Sequence, residues 1–374
     1  MKVMTIVGTR PEIIRLARVI VRLDETVDHV LVHTGQNYDY QLNGVFFEDL
    51  GLRSPDHFLE VDTSSLGHVL GETLIKIEQV LIAERPDAVL ILGDTNSAIA
   101  AVMAKRMRIP VYHMEAGNRC FDENVPEETN RRLVDHVADF NLVYTEHARR
   151  NLLAEGIHPR RILKTGSPMR EVLQSYRTQI DASTVLADRG LTSGQYLLVS
   201  AHREENVDSP DRLRSLLAGL HAVQASQGLD VFVSTHPRTR KRLEALPDWS
   251  ESPHITFSDP LGFHDYNKLQ LNAACVLSDS GTIAEESSLL GFPAVTLRDA
   301  IERPEALDTG SIMMTGLNAD DMVAAVSLVR SGNQSGETTD IPEDYLIANT
   351  SERTVKFILS TAHRHHQWSG LRSR

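Results

Sequence analysis

The feature that most limits the folds open to this chain is a repeated alternation of short, β-branched apolar runs with helical patterns. The runs cover residues 3–7, 29–33, 88–92, 111–114 and 141–145, then 196–200, 231–235, 275–278 and 294–297. Strands that alternate with helices imply parallel sheets joined by right-handed crossovers. Several runs are apolar without alternation, as strands buried on both faces should be. The series restarts at Tyr196-Leu-Leu-Val-Ser-Ala-His202 after a polar, weakly patterned region, and Gly166 and Pro168 punctuate the chain ahead of it. At 374 residues the chain exceeds what one core usually serves. An α/β protein of two Rossmann-like domains satisfies this pattern.

Composition excludes several classes. Hydrophobic residues at 41% and charged residues at 24% are ordinary for a globular chain. A net charge of -13 argues against nucleic acid as a partner, since phosphate-backbone binding needs a basic face; it leaves room for a local basic pocket suited to one diphosphate. Cys120 and Cys275 lie in different halves, so neither a disulfide framework nor a cysteine zinc site is expected. The N-terminal apolar run is too short for a signal peptide, and no stretch approaches the ~20 residues that span a bilayer. The expectation is a cytoplasmic protein without membrane contact. His363, His365 and His366 near the end read as a solvated helix end rather than a metal tract. Residues 331–340 read as a polar surface loop, and the last helix follows at about 351–365.

Chemistry concentrates in Glu115-Ala-Gly-Asn-Arg-Cys-Phe-Asp-Glu-Asn-Val-Pro-Glu-Glu-Thr-Asn-Arg-Arg132. Glu115 directly follows a buried apolar run, and Pro126-Glu127-Glu128 opens a helix. Ligands of open α/β sheets sit beyond the carboxyl ends of the strands. Carboxylates gathered there suit proton transfer. Pro at a helix start and acids in the first turn are also sound helix design in themselves, which covers Glu127 and Glu128. Glu115 has no capping task. Asp94, in Gly93-Asp-Thr95 after another run, is placed either to cap a helix or to join Glu115 at the same sheet edge. Crowded carboxylates should raise at least one pKa and share a proton.

Further motifs are suited to an anion. Gly8-Thr-Arg-Pro-Glu12 follows the first run; its glycine permits close backbone approach, and Arg10 is a cation at a strand end. No Gly-x-Gly-x-x-Gly follows, so NAD binding is unsupported. His202-Arg203-Glu204 and His236-Pro-Arg238 end the first two runs of the second series. An imidazole there can serve a leaving phosphate oxygen, and Arg203 and Arg238 add charge. In Ser278-Asp-Ser-Gly-Thr-Ile-Ala-Glu-Glu286 the backbone at Ser280, Gly281 and Thr282 can present N–H groups to phosphate, or Ser and Thr can simply cap the helix; Glu285 falls one turn in. Arg298-Asp-Ala-Ile-Glu-Arg-Pro-Glu305, with Arg303, lies beyond the last run.

These motifs, in order from residue 8 to residue 305, resemble the UDP-N-acetylglucosamine 2-epimerase family. The resemblance implies a glycosyltransferase-B-like fold with two Rossmann-like domains facing a cleft. It places residues 1–167 with 355–374 in a sugar-binding, catalytic domain and 168–354 in a UDP-binding domain, and it implies a homodimer. It further implies a non-hydrolysing isomerase without cofactor or metal: UDP leaves C1 and a proton leaves C2, giving a 2-acetamidoglycal, and UDP then returns with the proton on the other face. Asp94, Glu115, Glu128 and His202 are the implied catalytic residues. Arg10, Arg203, His236, Arg238, Ser280, Gly281, Thr282, Glu285 and Arg303 are the implied substrate contacts, with Glu285 on the ribose.

Some positions depart from the family's common pattern. Arg15 stands where Lys is usual, and Gly35-Gln-Asn-Tyr-Asp-Tyr40 replaces a Gly-Gln-His stretch that helps form an allosteric site. Asn118-Arg-Cys-Phe and Ser280-Gly-Thr resemble the subgroup that converts UDP-2-acetamido-2,6-dideoxy-L-talose to UDP-N-acetyl-L-fucosamine for capsule, O-antigen or lipopolysaccharide. Cys120 and Phe121 would give a 6-deoxy sugar an apolar wall. The competing expectations are a UDP-N-acetylglucosamine/UDP-N-acetylmannosamine 2-epimerase, a hydrolysing epimerase, a glycosyltransferase of the same fold, and a non-catalytic nucleotide-sugar sensor.

Overall fold

The apolar runs become the strands of two parallel sheets, one in each of two units. The computed structural model describes residues 1–35, 47–335 and 340–371. The first unit comprises Met1–Ser175 with Glu343–Arg374, and the second Tyr176–Pro342. Gln36 to Tyr40, in the stretch that departs from the Gly-Gln-His pattern, lie outside the described residues.

In the first unit the strands are β1 (Lys2–Val7), β2 (Asp28–His33), β3 (His57–Phe58), β4 (Ala88–Leu92), β5 (Val111–Met114), β6 (Phe140–Val143) and β7 (Ile162–Lys164). They run in the order β3-β2-β1-β4-β5-β6-β7, all parallel. Met4 and Ile6 of β1 and Val89 and Ile91 of β4 pack on Ile77, Leu81 and Ala101 from helices on one face. The second unit has β8 (Tyr196–Ser200), β9 (Asp230–Ser234), β10 (Ile255–Ser258), β11 (Cys275–Ser278), β12 (Ala294–Thr296) and β13 (Met313–Met314). Their order is β10-β9-β8-β11-β12-β13, again all parallel. Leu197 and Val199 of β8 face one core and Leu198 faces another. Apolar burial on both faces is why these runs lack alternation.

Every run read from the sequence is a strand, within a residue or two. The four strands that the apolar pattern does not reveal, β3, β7, β10 and β13, are the four sheet edges. An edge strand has one neighbour and an open side, so it stays short and tolerates polar residues such as His57 and Lys164.

Each sheet reverses its strand order once, between β1 and β4 in the first unit and between β8 and β11 in the second. Such a switch point opens a crevice beyond the strands' carboxyl ends. In the first unit it is flanked by Gly8-Thr9-Arg10 and Gly93-Asp94, and in the second by Ala201-His202-Arg203 and Asp279-Ser280-Gly281.

The C-terminal helix Thr350–Thr361 belongs to the first unit and packs on the helix Arg10–Thr26. The units divide after Ser175 and before Glu343, whereas the sequence reading divides the chain after 167 and before 355. Hydrogen bonds account for the difference. Thr350 Oγ1 donates to the carbonyls of Thr165 (3.1 Å) and Ser167 (3.0 Å), and Ser351 N–H donates to Glu171 (2.9 Å). Tyr112 and Thr361 pair their hydroxyls at 2.6 Å, and Phe357 meets Tyr112 and Phe140 edge-on. His365 is not at a solvated helix end: it is buried, with Nε2 2.7 Å from Asp139 Oδ1. His366 is exposed and pairs with the Arg108 carbonyl at 2.9 Å.

Candidate active site

Thr9 stands at the N-cap of the helix Arg10–Thr26, with Pro11 in its first turn and Glu12 accepting the Thr9 N–H, half of a capping box. Glu12 also reaches sideways. One carboxylate oxygen accepts the N–H groups of Gly8 (2.5 Å) and Thr9 (2.7 Å), and the other accepts the hydroxyls of Thr95 and Ser97, both at 2.6 Å. It thereby ties the turn after β1, which carries Arg10, to the turn after β4, which carries Asp94. Burial pushes the Glu12 carboxyl above its usual range in spite of these four donors.

Gly93 takes φ 73° and donates its N–H to the Met114 carbonyl at 3.0 Å. A Cβ there would stand 3.5 Å from Glu115 Oε2, so the Glu115 carboxylate lies over the turn that precedes Asp94. Glu115 has φ 64°, a left-handed conformation costing a residue with a side chain about 1–3 kcal/mol. It is buried. Arg15 Nη1 pairs with Glu115 Oε2, and Asn118 Nδ2 donates to Oε1 at 3.4 Å. Arg15, the departure from Lys, therefore meets the acid that follows β5.

The helix Pro126–Val137 brings in Glu128, also buried. Glu128 Oε2 accepts the Cys120 N–H (3.2 Å) and Arg131 Nη1 (3.1 Å), and the Cys120 thiol lies at 3.3 Å. The same Arg131 reaches Asp94 Oδ2 at 2.6 Å. One guanidinium thus stands between two acids, and a second faces Glu115. The expected consequence of carboxylate crowding, a raised pKa, does not hold for Glu128. Burial pushes its carboxyl up, but the Cys120 N–H and thiol and the Arg131 charge outweigh this and hold it below the usual range. Asp94, Glu115 and Glu128 are brought to one region, and Glu128 is kept ionised, the form that accepts a proton. Arg10 stands half-buried at the start of its helix.

In the second unit Asp279 organises the switch point. It is fully buried and accepts the backbone N–H groups of His202 (3.0 Å) and Arg203 (3.0 Å) and the Asn206 amide (3.1 Å). Two guanidiniums converge on Gly281, ahead of the helix Ile283–Leu290. A Cβ at Gly281 would lie 3.0 Å from Arg303 Nη1 and 3.3 Å from Arg203 Nη2. Ser280 and Thr282 pair their hydroxyls at 3.0 Å beside it. Two cations and a helix N-terminus around a residue without a side chain form a cradle for a phosphate.

Glu285 is fully buried; its Oε2 is 3.2 Å from Arg303 Nε, and among the described residues neither carboxylate oxygen accepts a hydrogen bond. Such a group is suited to a ligand's hydroxyls. The rings of His202 and His236 stand 5.6 Å apart. His236 caps the helix Pro237–Glu244, accepting the Arg238 N–H at 3.2 Å. Arg238 engages Glu204 (2.7 Å) and Asp208 (2.8 Å), and the cradle's guanidiniums likewise face acids, Arg203 at 3.8 Å from Glu302 and Arg303 at 3.2 Å from Glu285.

Sequence reasoning missed Glu12, Arg131, Asp279 and Asn206 as organising groups. Glu12 and Asp279 sit inside motifs that it singled out. Arg131 also lies in a motif singled out, the one ending at Arg132, but its partners, like those of Asn206, are chosen by tertiary packing.

The sequence model described as UDP-N-acetylglucosamine 2-epimerase matches residues 21–359. A solved structure of UDP-N-acetylglucosamine 2-epimerase from Rickettsia bellii is 45% identical, covers 98% of each chain and superposes with a TM-score of 0.92. The Methanocaldococcus jannaschii UDP-GlcNAc 2-epimerase, solved in complex with UDP-GlcNAc and UDP, is 34% identical over 96% of this chain and 100% of its own, with a TM-score of 0.91. The UDP-2,3-diacetamido-2,3-dideoxy-D-glucuronate 2-epimerase of Pseudomonas aeruginosa is 34% identical over 90% of this chain and 95% of its own.

Proposed function

The chain belongs to the UDP-N-acetylglucosamine 2-epimerase family, and from that premise we propose that it inverts C2 of a UDP-2-acetamido sugar by eliminating and re-adding UDP. The observation that carries this reading is the set of three acids, Asp94, Glu115 and Glu128, held by Arg15 and Arg131. A binding protein has no need of two buried carboxylates and a half-buried third, each facing a guanidinium.

The chemistry balances without an external oxidant or reductant. The C1–O bond breaks and UDP leaves with its electron pair. The C2 proton passes to a carboxylate, and the C2–H electrons form the C1=C2 bond of the 2-acetamidoglycal. In return, UDP oxygen attacks C1 while an acid delivers a proton to the opposite face of C2. Arg203, Arg303 and the N–H groups at Gly281 neutralise the departing diphosphate. His202 supports the leaving oxygen, and Glu285 accepts the ribose hydroxyls. Glu128, held ionised, serves as a base in one direction and, once protonated, as an acid in the other.

For the sugar, the reading is UDP-2-acetamido-2,6-dideoxy-L-talose going to UDP-N-acetyl-L-fucosamine for surface polysaccharide. The support is Cys120, whose thiol touches Glu128, and Phe121, 72% exposed at φ 56° beside it. An exposed aromatic in a strained turn next to the acids suits an apolar 6-methyl group. The second reading, UDP-N-acetylglucosamine to UDP-N-acetylmannosamine, is favoured by the name of the 45% identical Rickettsia relative. The Pseudomonas relative's name indicates that family members differ in sugar substituents away from C2. Initial rates on the 6-deoxy-L-talo, L-fuco and D-gluco UDP-sugars separate the two readings. The 6-deoxy reading expects a kcat/KM preference of roughly tenfold or more for the deoxy pair, and an equal or reversed preference would overturn it.

A further inference from the structure

The three acids sit on three separate stretches of the first unit: Asp94 on the turn after β4, Glu115 on the turn after β5, and Glu128 on the helix Pro126–Val137. One pair of buried side chains touches all three stretches. His113 lies on β5, two residues before Glu115, and Asp135 lies on the helix, seven residues after Glu128 and four after Arg131. Both are essentially inaccessible, at 1% and 0% exposure.

His113 Nε2 is 2.7 Å from the Gly93 carbonyl, which can only accept, so the imidazole donates to the turn that carries Asp94. His113 Nδ1 is 2.9 Å from Asp135 Oδ1. Asp135 also accepts the Gly117 N–H (3.1 Å), two residues past Glu115, and Arg119 Nη1 (2.7 Å). Arg119 in turn donates to the Asn118 carbonyl (2.7 Å) and to Glu155 (2.7 Å). The turn between them has little freedom. Gly117 takes φ 81°, and a Cβ there would stand 2.4 Å from the Ala148 carbonyl oxygen. Asp135 thus pins the far end of the turn in which Glu115 holds its left-handed conformation.

Stability alone does not call for this arrangement. Buried ionic networks are often no more stabilising than apolar groups of the same volume, and a parallel strand's interior position ordinarily takes Val or Ile. The placement of His113 and Asp135 makes sense if the separation of the acids is what must be fixed. We propose that His113 and Asp135 are positioning residues that set the relative placement of Asp94, Glu115 and Glu128 without touching the substrate. This rests on the epimerase reading above.

The test is steady-state epimerisation by the full chain, with UDP affinity and melting temperature measured alongside. Asp135→Asn cannot accept from both His113 and Arg119, which face opposite carboxylate oxygens, and His113→Phe loses both bonds while keeping a ring's volume. The expected result is a folded variant with kcat lowered roughly 10- to 100-fold and with KM and the UDP Kd within about threefold of the parent, because misplaced acids impair proton transfer and leave nucleotide binding intact. Folded variants with the parent kcat would overturn the proposal. So would parallel loss of kcat and UDP binding, or failure of both variants to fold, since each points to a merely structural role. A parent chain that epimerises none of the UDP-sugars overturns the epimerase reading itself, an outcome separate from either variant result.

Discussion

Arg131 holds two carboxylates with one guanidinium, Asp94 at 2.6 Å and Glu128 at 3.1 Å. Removing the charge should therefore alter proton transfer more than folding. In Arg131→Met the Glu128 carboxyl loses a cation that stabilises its ionised form, so its pKa rises. A rate that needs ionised Glu128 then falls away at higher pH than in the parent. The kcat–pH profile should show its acidic limb moved upward and the maximum lowered by roughly 100-fold. At the phosphate cradle, Arg203→Ala should weaken UDP binding by roughly tenfold, the loss of one charge-assisted contact, as read by calorimetry. Asp94, Glu115 and Glu128 were legible because each follows a strand or opens a helix in a motif of charged residues. Arg131 was not, since the partner of a long side chain is chosen by packing. The downward shift at Glu128 followed from that missing partner.

Turns without side chains set the geometry at the scale of the element. Gly117→Ala places a methyl 2.4 Å from the Ala148 carbonyl oxygen at a φ of 81°. It should cost about 2–4 kcal/mol, visible as a lowered urea midpoint with loss of epimerisation. Gly281→Ala meets only the ends of two arginine side chains, at 3.0 and 3.3 Å. It should leave the melting temperature nearly unchanged and raise the UDP Kd by pushing Arg203 and Arg303 apart. The central strands were plain in the sequence because burial on both faces demands continuous apolar runs. The edges β3, β7, β10 and β13 were not, because a half-open strand need not be apolar. Likewise the return of residues 343–354 to the first unit depends on Thr350 and Ser351 finding partners near residue 165, which no local pattern announces.

Across the whole molecule, stability should fall with acid. Asp139 is pushed up by burial but held down more strongly by His365 and Lys105, and Glu155 is held down by Arg119. With Glu128, these groups bind fewer protons folded than unfolded, so their contribution is present above the ordinary carboxylate range near pH 4 and lost as pH falls through and below it. Glu12, pushed up by burial, acts in the opposite sense, since its protonation relieves a penalty. Urea midpoints should hold between pH 7 and about pH 5 and decrease as pH falls from there to about 3, less steeply in Asp139→Asn. The most direct test of the central claim is proton exchange at C2: incubate the chain in D2O with each UDP-2-acetamido sugar and follow C2 by NMR. Deuterium at C2 with the epimer appearing, and no accumulation of free sugar, is the predicted result. Tight UDP binding with no exchange in any of the sugars would contradict the account and point to a transferase or a binding protein.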